Sequence, residues 1–289
     1  MVNQLISAIK QKNAPVLVGL DPFVDSFPKS FFKGQTKDDI AESILEFNKA
    51  IIDSVYDIIP AVKPQSAFYE QYGWQGVKAL EETVAYAKSK GLFVIFDGKR
   101  NDIGSTAAGY AKAFLTESGV NADALTVNGY LGNDGIKPFL ETGKMIFVLA
   151  KTSNPSSGEL QDRKLDDGTT VYETMARLTA KWSSGEPYSN CGIVVGATYP
   201  EQIAELRAKL PNTFFLIPGY GAQGGKACDI AQAFDSDGMG AIVNSSRGIL
   251  YAYKKEENCS EADFAGAARR AVIKMRDDIL SAREAIVVK

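Results

Sequence analysis

The chain has 289 residues, 45% of them hydrophobic and 23% charged, with a formal net charge of −3. That is ample apolar material for one large core, and the acidic balance speaks against a nucleic-acid or anionic-membrane surface. It contains no histidine, which removes Ser-His-Asp and Cys-His catalysis and leaves acid–base work to Lys, Asp, Glu, Tyr or Cys.

The N-terminus, Met1-Val2-Asn3-Gln4-Leu5, lacks the basic and apolar regions of a signal peptide. A first strand is expected over residues 16–20, followed by a helix over 36–58 with Thr36 as N-cap and Asp38 and Asp39 making an acidic first turn. The alternation then repeats: strand 59–63 and helix 75–90, strand 92–96 and helix 106–118, strand 124–127 and helix 135–141. It continues with strand 145–150 and helix 171–182, strand 192–195 and helix 200–210, strand 213–217 and helix 226–234, and finally strand 241–244 and helix 262–285. The strand segments are mostly continuously apolar, as parallel strands covered on both faces are. Eight β-then-α units predict a single (β/α)₈ TIM-barrel domain over residues 1–289, with an open doubly wound sheet as the alternative.

No apolar run approaches the ~20 residues that cross a bilayer. Cys191, Cys228 and Cys259 are odd in number and widely spaced, and read as reduced, structural thiols of a cytoplasmic protein. The longest loop, 153–168, follows the fifth strand and is placed to act as a lid over the catalytic face.

Functional groups in a barrel gather where strands end. Asp21 follows the first strand, Lys63 ends the second, and Asp97, Lys99 and Asp102 follow the third in the spacing Asp-x-Lys-x-x-Asp. A lysine flanked by two acids is a charged, firmly held proton donor. The seventh and eighth strands run into Pro218-Gly219-Tyr220-Gly221-Ala222-Gln223-Gly224-Gly225 and Asn244-Ser245-Ser246-Arg247-Gly248. Glycine-rich backbone and a forked cation there suit a phosphate. Gly219, Gly221 and Gly224 also match the dinucleotide pattern G-x-G-x-x-G, but no second nucleotide-binding half follows. The aromatic run from Phe68 to Trp74 reads as packing around the loop after the second strand.

These strand ends resemble the orotidine 5′-phosphate decarboxylase family, in its longer bacterial-type branch, nearly end to end. The most specific piece is Phe96-Asp97-Gly98-Lys99-Arg100-Asn101-Asp102-Ile103-Gly104-Ser105-Thr106, supported by Lys63-Pro64-Gln65, Lys151-Thr152-Ser153-Asn154-Pro155 and the loop from Pro218 to Gly225. The resemblance implies cofactor-independent, metal-free loss of carbon dioxide from orotidine 5′-monophosphate to give UMP, a step of pyrimidine biosynthesis. It makes Lys99 the acid that protonates C6 and Lys63, Asp97, Lys99 and Asp102 an alternating charged tetrad. It gives Asp21 the ribose hydroxyls, Ser153 the pyrimidine, and Gln223 and Arg247 the phosphate, with Ser246 also among the substrate-binding residues. It also implies a homodimer in which Asp102, Ile103 and Thr106 are donated to the partner subunit's site. Gly98, Gly104 and Ser105 depart from the bulkier residues or proline of shorter members, leaving every charged position intact. Two alternatives stand beside it: a Mg²⁺-dependent phosphosugar lyase of the same superfamily, and a catalytically silent nucleotide-binding barrel.

Overall fold

The computed structural model describes residues 1–221 and 224–287. Within them, β1 (Val16–Leu20), β2 (Ala61–Pro64), β3 (Phe93–Arg100), β4 (Ala124–Val127), β5 (Met145–Lys151), β6 (Cys191–Val195), β7 (Phe215–Pro218) and β8 (Ala241–Ser245) each pair in parallel with their sequence neighbours. β8 also pairs with β1, Val16 opposite Val243 and Leu17 opposite Asn244, so the sheet closes on itself. The expected barrel is what forms, and the open sheet is not.

Closure explains the continuously apolar strands. Alternate residues split between two cores. Val16, Val18, Val62 and Val94 face outward to the helices, while Leu17, Ala61, Ala124 and Ile242 fill the barrel's interior. The surrounding helices lie close to their expected positions. The helix Lys37–Val55 opens with a capping box in which Thr36 and Asp39 satisfy each other's backbone N–H, and Thr170 does the same with Glu173 for Val171–Trp182. The expected helix 226–234 is instead one helical turn, Ala227–Ile230, continued by a 3₁₀ turn, Ala231–Ala233.

The sequence reading passed over a helix at Val2–Lys12. Its Val2, Leu5, Ile6 and Ile9 follow helical spacing and pack into the interior cluster beside Leu17 and Phe147. This helix stoppers the N-terminal end of the barrel. It ends at Asn13 in the left-handed conformation, φ 45°.

β3 also differs from expectation, running to Arg100 rather than ending at Phe96. Its pairing with β4 shifts register between Phe96 and Arg100, and Lys99 adopts φ 46°. A Cβ on Gly98 would lie 2.7 Å from the Phe96 ring, so glycine is required there. Of the three thiols expected to be structural, Cys191 is buried and its pKa is pushed by burial up to about 12. Cys228 is exposed, its thiol meeting the Asp229 carboxylate at 3.6 Å. Among the described residues no helix is long and apolar enough to cross a membrane.

Candidate active site

The C-terminal ends of the strands open on a cavity of about 640 Å³. Its walls are divided by chemistry. β1 to β4 and β8 contribute Asp21, Lys63, Asp97, Thr126 and Asn244, whereas β5 to β7 contribute Leu149, Val194 and Leu216.

The polar wall is organised around one carboxylate. Lys63 Nζ donates to Asp97 Oδ2 at 2.7 Å, and Lys99 Nζ donates to Asp97 Oδ1 at 2.6 Å. Thr126 Oγ1 also donates to Asp97 Oδ1, at 2.8 Å, and accepts from the Lys99 backbone N–H at 3.0 Å. Thr126 therefore fixes both the carboxylate and the turn carrying Lys99. Burial alone would raise the Asp97 carboxyl, but the Lys63 and Lys99 ammoniums outweigh it and hold it well below the usual carboxylate range. Burial likewise opposes the Lys63 charge, yet Asp97 and Asp21 more than compensate and raise its pKa. Asp21 is the opposite case: burial raises its pKa, only partly offset by Lys63 and by a hydrogen bond with Ser246. Lys63 is buried, while the Lys99 side chain is nearly half exposed to the cavity.

Both Asp97 oxygens are engaged by ammonium groups, so this carboxylate is not free to take a divalent cation. Among the described residues no group of three His, Cys, Asp or Glu side chains converges as a metal site would.

Ser246 and Arg247, with Gly219 and Tyr220, line the opposite rim. Gly219, Gly221 and Gly224 all have positive φ, and the loop doubles back through a bond from the Gly221 N–H to the Gly225 carbonyl. Gln223, expected at the phosphate, lies outside the described residues.

The loop 153–168 does lie over the cavity, which it lines through Ser153, Asn154 and Gln161. It is tied down. The wholly buried Lys151 pairs with Asp162 at 2.6 Å and donates to Ser157 Oγ at 3.2 Å. Thr152 and Gln161 exchange two hydrogen bonds, at 2.9 and 2.7 Å.

Asp102 is not brought to this cluster. Its carboxylate accepts from the Ile103 N–H at 2.8 Å, just before the helix Gly104–Leu115. Within one chain, then, Lys99 is flanked by one acid rather than two. Asp102, Ile103 and Thr106 lie outside the cavity lining, and the apolar Ile103 is 53% exposed.

Lining residues that no motif singles out are Thr126 and Gln161, the apolar Leu149, Val194 and Leu216, and Phe68, read from sequence as packing. Phe68 thus does more than pack, and Trp74 from the same aromatic run is exposed.

A sequence model of the orotidine 5′-phosphate decarboxylase / HUMPS family matches residues 15–262. The orotidine 5′-phosphate decarboxylase of Rhodopirellula baltica is 44% identical over 96% of this chain and 97% of its own length. That of Caldicellulosiruptor bescii is 42% identical over 97% and 98%. Among solved structures, Leishmania donovani OMP decarboxylase superposes with a TM-score of 0.79 at 30% identity, covering 98% of both chains. A charged cluster at the mouth of a closed barrel, a glycine-rich rim and similarity along nearly the whole length place the chain in one group: it belongs to the orotidine 5′-phosphate decarboxylase / HUMPS family.

Proposed function

We propose that this chain decarboxylates orotidine 5′-monophosphate to UMP in pyrimidine biosynthesis, without metal or organic cofactor. The observation that carries the reading is the Lys63–Asp97–Lys99 chain of contacts at 2.7 and 2.6 Å on the cavity wall. When the bond from C6 to the carboxylate carbon breaks, carbon dioxide leaves and the electron pair stays on C6. The Lys99 ammonium, held by Asp97 and by a backbone turn pinned to Thr126, faces that developing charge without having to reorganise. It then gives its proton to C6 and is reprotonated from solvent. Asp97 remains ionised throughout and sets the position of the donor. The rim at Ser246 and Arg247 takes the phosphate, and the binding energy of that remote group helps order the site for the chemical step. Ser153, on the tied loop, contacts the pyrimidine.

The active form in this reading is a homodimer. The exposed Ile103, with Asp102 and Thr106, lies where a second copy can receive it, and the partner's cavity gains the acid that Lys99 lacks within its own chain.

The deciding experiment follows the loss of orotidylate ultraviolet absorbance with wild type and Lys99→Ala, before and after exhaustive EDTA treatment. Wild type should be fully active in both conditions, and Lys99→Ala should lose at least the roughly 10²–10⁴-fold of a general acid. Activity abolished by EDTA and restored by Mg²⁺ would point to the metal-dependent lyases instead. Binding of UMP with no turnover of orotidylate would point to a silent barrel.

A further inference from the structure

Among the described residues, the non-glycine positions at positive φ are Asn13, Asn121, Asn258 and Lys99. Asparagine tolerates that region through local hydrogen bonds of its short side chain, whereas lysine has no such help. A residue in a strained conformation persists only where its surroundings fix it from several sides. For Lys99 one side is Thr126, whose Oγ1 accepts the Lys99 N–H at 3.0 Å. The other is its neighbour Arg100.

Arg100 Nη1 donates to the Gly98 carbonyl at 2.7 Å. That carbonyl and the Lys99 N–H belong to one peptide unit, so the plane that precedes the Lys99 Cα is pinned at both ends. The guanidinium is itself held. It pairs with Glu70 at the end of the short helix Ala67–Glu70, and it lies over the Phe114 ring, 4.9 Å from its centroid. Phe114 stacks on Phe96 at 4.7 Å, and Phe96 is the ring that leaves no room for a Cβ on Gly98. The contacts therefore form a closed circuit around the turn, from Arg100 through Phe114 and Phe96 back to Gly98. Beyond it, the Arg100 carbonyl accepts the Asn128 N–H at 3.0 Å, anchoring the strand to the end of β4. Arg100 itself is not part of the cavity lining.

We propose that Arg100 is a positioning residue. It holds the Gly98–Lys99 peptide so that the left-handed turn keeps the Lys99 ammonium aimed at C6, and it touches neither base nor phosphate. The inference rests on the decarboxylase reading above and gives the helix-facing side of β3 a part in the chemical step.

The test compares wild type, Arg100→Met and Arg100→Lys in two measurements. Single-turnover decay of orotidylate absorbance with enzyme in excess reads the chemical step, and calorimetric titration with UMP reads binding. Arg100→Met keeps the stem and loses the fork. Its single-turnover rate should fall about ten- to hundredfold, as for a reacting group displaced by about 1 Å, while UMP affinity stays within about twofold of wild type. Arg100→Lys keeps a cation over Phe114 but cannot serve the Gly98 carbonyl and Glu70 together. It should also be slowed with UMP affinity retained, and it keeps the test decisive should Arg100→Met fold poorly. A wild-type rate in Arg100→Lys, or UMP affinity falling in step with the rate, would overturn the assignment. So would a loss that disappears as protein concentration rises, which would place Arg100 in a subunit contact. Failure of wild type to consume orotidylate would instead remove the reading on which the proposal stands.

Discussion

Replacing Lys63 by methionine probes the charge chain while nearly conserving side-chain length and volume. Asp97 then loses the ammonium 2.7 Å from its Oδ2. Removing one partner of a fully buried ion pair costs ~3–5 kcal/mol. Here Lys99 and Thr126 still bond Oδ1 and the carboxylate borders an open cavity, so about 1–3 kcal/mol is expected. At roughly 2–4 °C per kcal/mol for a chain of this size, Tm should fall by roughly 2–12 °C. The sign of the pH dependence follows from the two shifts. The Asp97 pKa is lowered in the fold, so its contribution is complete above the unfolded value of about 3.9 and is lost as pH falls below it. The Lys63 pKa is raised, so its contribution is complete below about 10.4 and is lost as pH rises through the higher folded value. Both act in full at neutral pH. In Lys63→Met, burial of Asp97 is less opposed, its pKa rises, and the stability gap to wild type should narrow between pH 7 and pH 4.5. Calorimetric melts of wild type, Lys63→Met, Asp97→Asn and the double variant measure this directly. The double variant leaves neither charge stranded and should be more stable than the sum of the single losses by about 1–3 kcal/mol. Additive losses within ~0.5 kcal/mol, or a gap independent of pH, would refute the reasoning.

Mixing inactive Lys99→Ala and Asp102→Asn chains should restore part of the activity, because one site of each mixed dimer escapes both lesions; no recovery after proven subunit exchange would count against a shared site. Asp162→Ala strands the buried Lys151 ammonium and should raise KM several-fold by loosening the loop that carries Ser153 and Gln161, while inhibition by ribose 5-phosphate, which has no base, stays unchanged. Leu5→Ala, at a fully buried position under the barrel, should cost about 2–5 kcal/mol of stability and leave kcat at 25 °C as it was. A drop in kcat without a drop in Tm would contradict the purely supporting role given to that helix.

The barrel was legible because parallel strands covered on both faces are written as apolar runs, and each run here sits within a few residues of a strand. The charged trio was legible because Lys63, Asp97 and Lys99 break such runs at their C-terminal ends. Thr126 was not. It lies inside the apolar run Ala124–Val127, and its importance comes only from the register that sets β4 beside Asp97. The extension of β3 to Arg100 was hidden by the same charges that revealed the site, since a run of Asp, Lys and Arg reads as solvated loop until opposite charges across the barrel mouth enclose it. The helix Val2–Lys12 did carry a signal in the helical spacing of Val2, Leu5, Ile6 and Ile9, but it precedes the first strand and so stands outside the β-then-α repeat.

The plug formed by that first helix has a consequence for traffic. With the far end of the cylinder filled by Leu5, Ile9, Leu17 and Phe147, the chamber is a cul-de-sac. Reactant, released gas and finished nucleotide must all pass the same doorway, which the strap anchored by Lys151 borders.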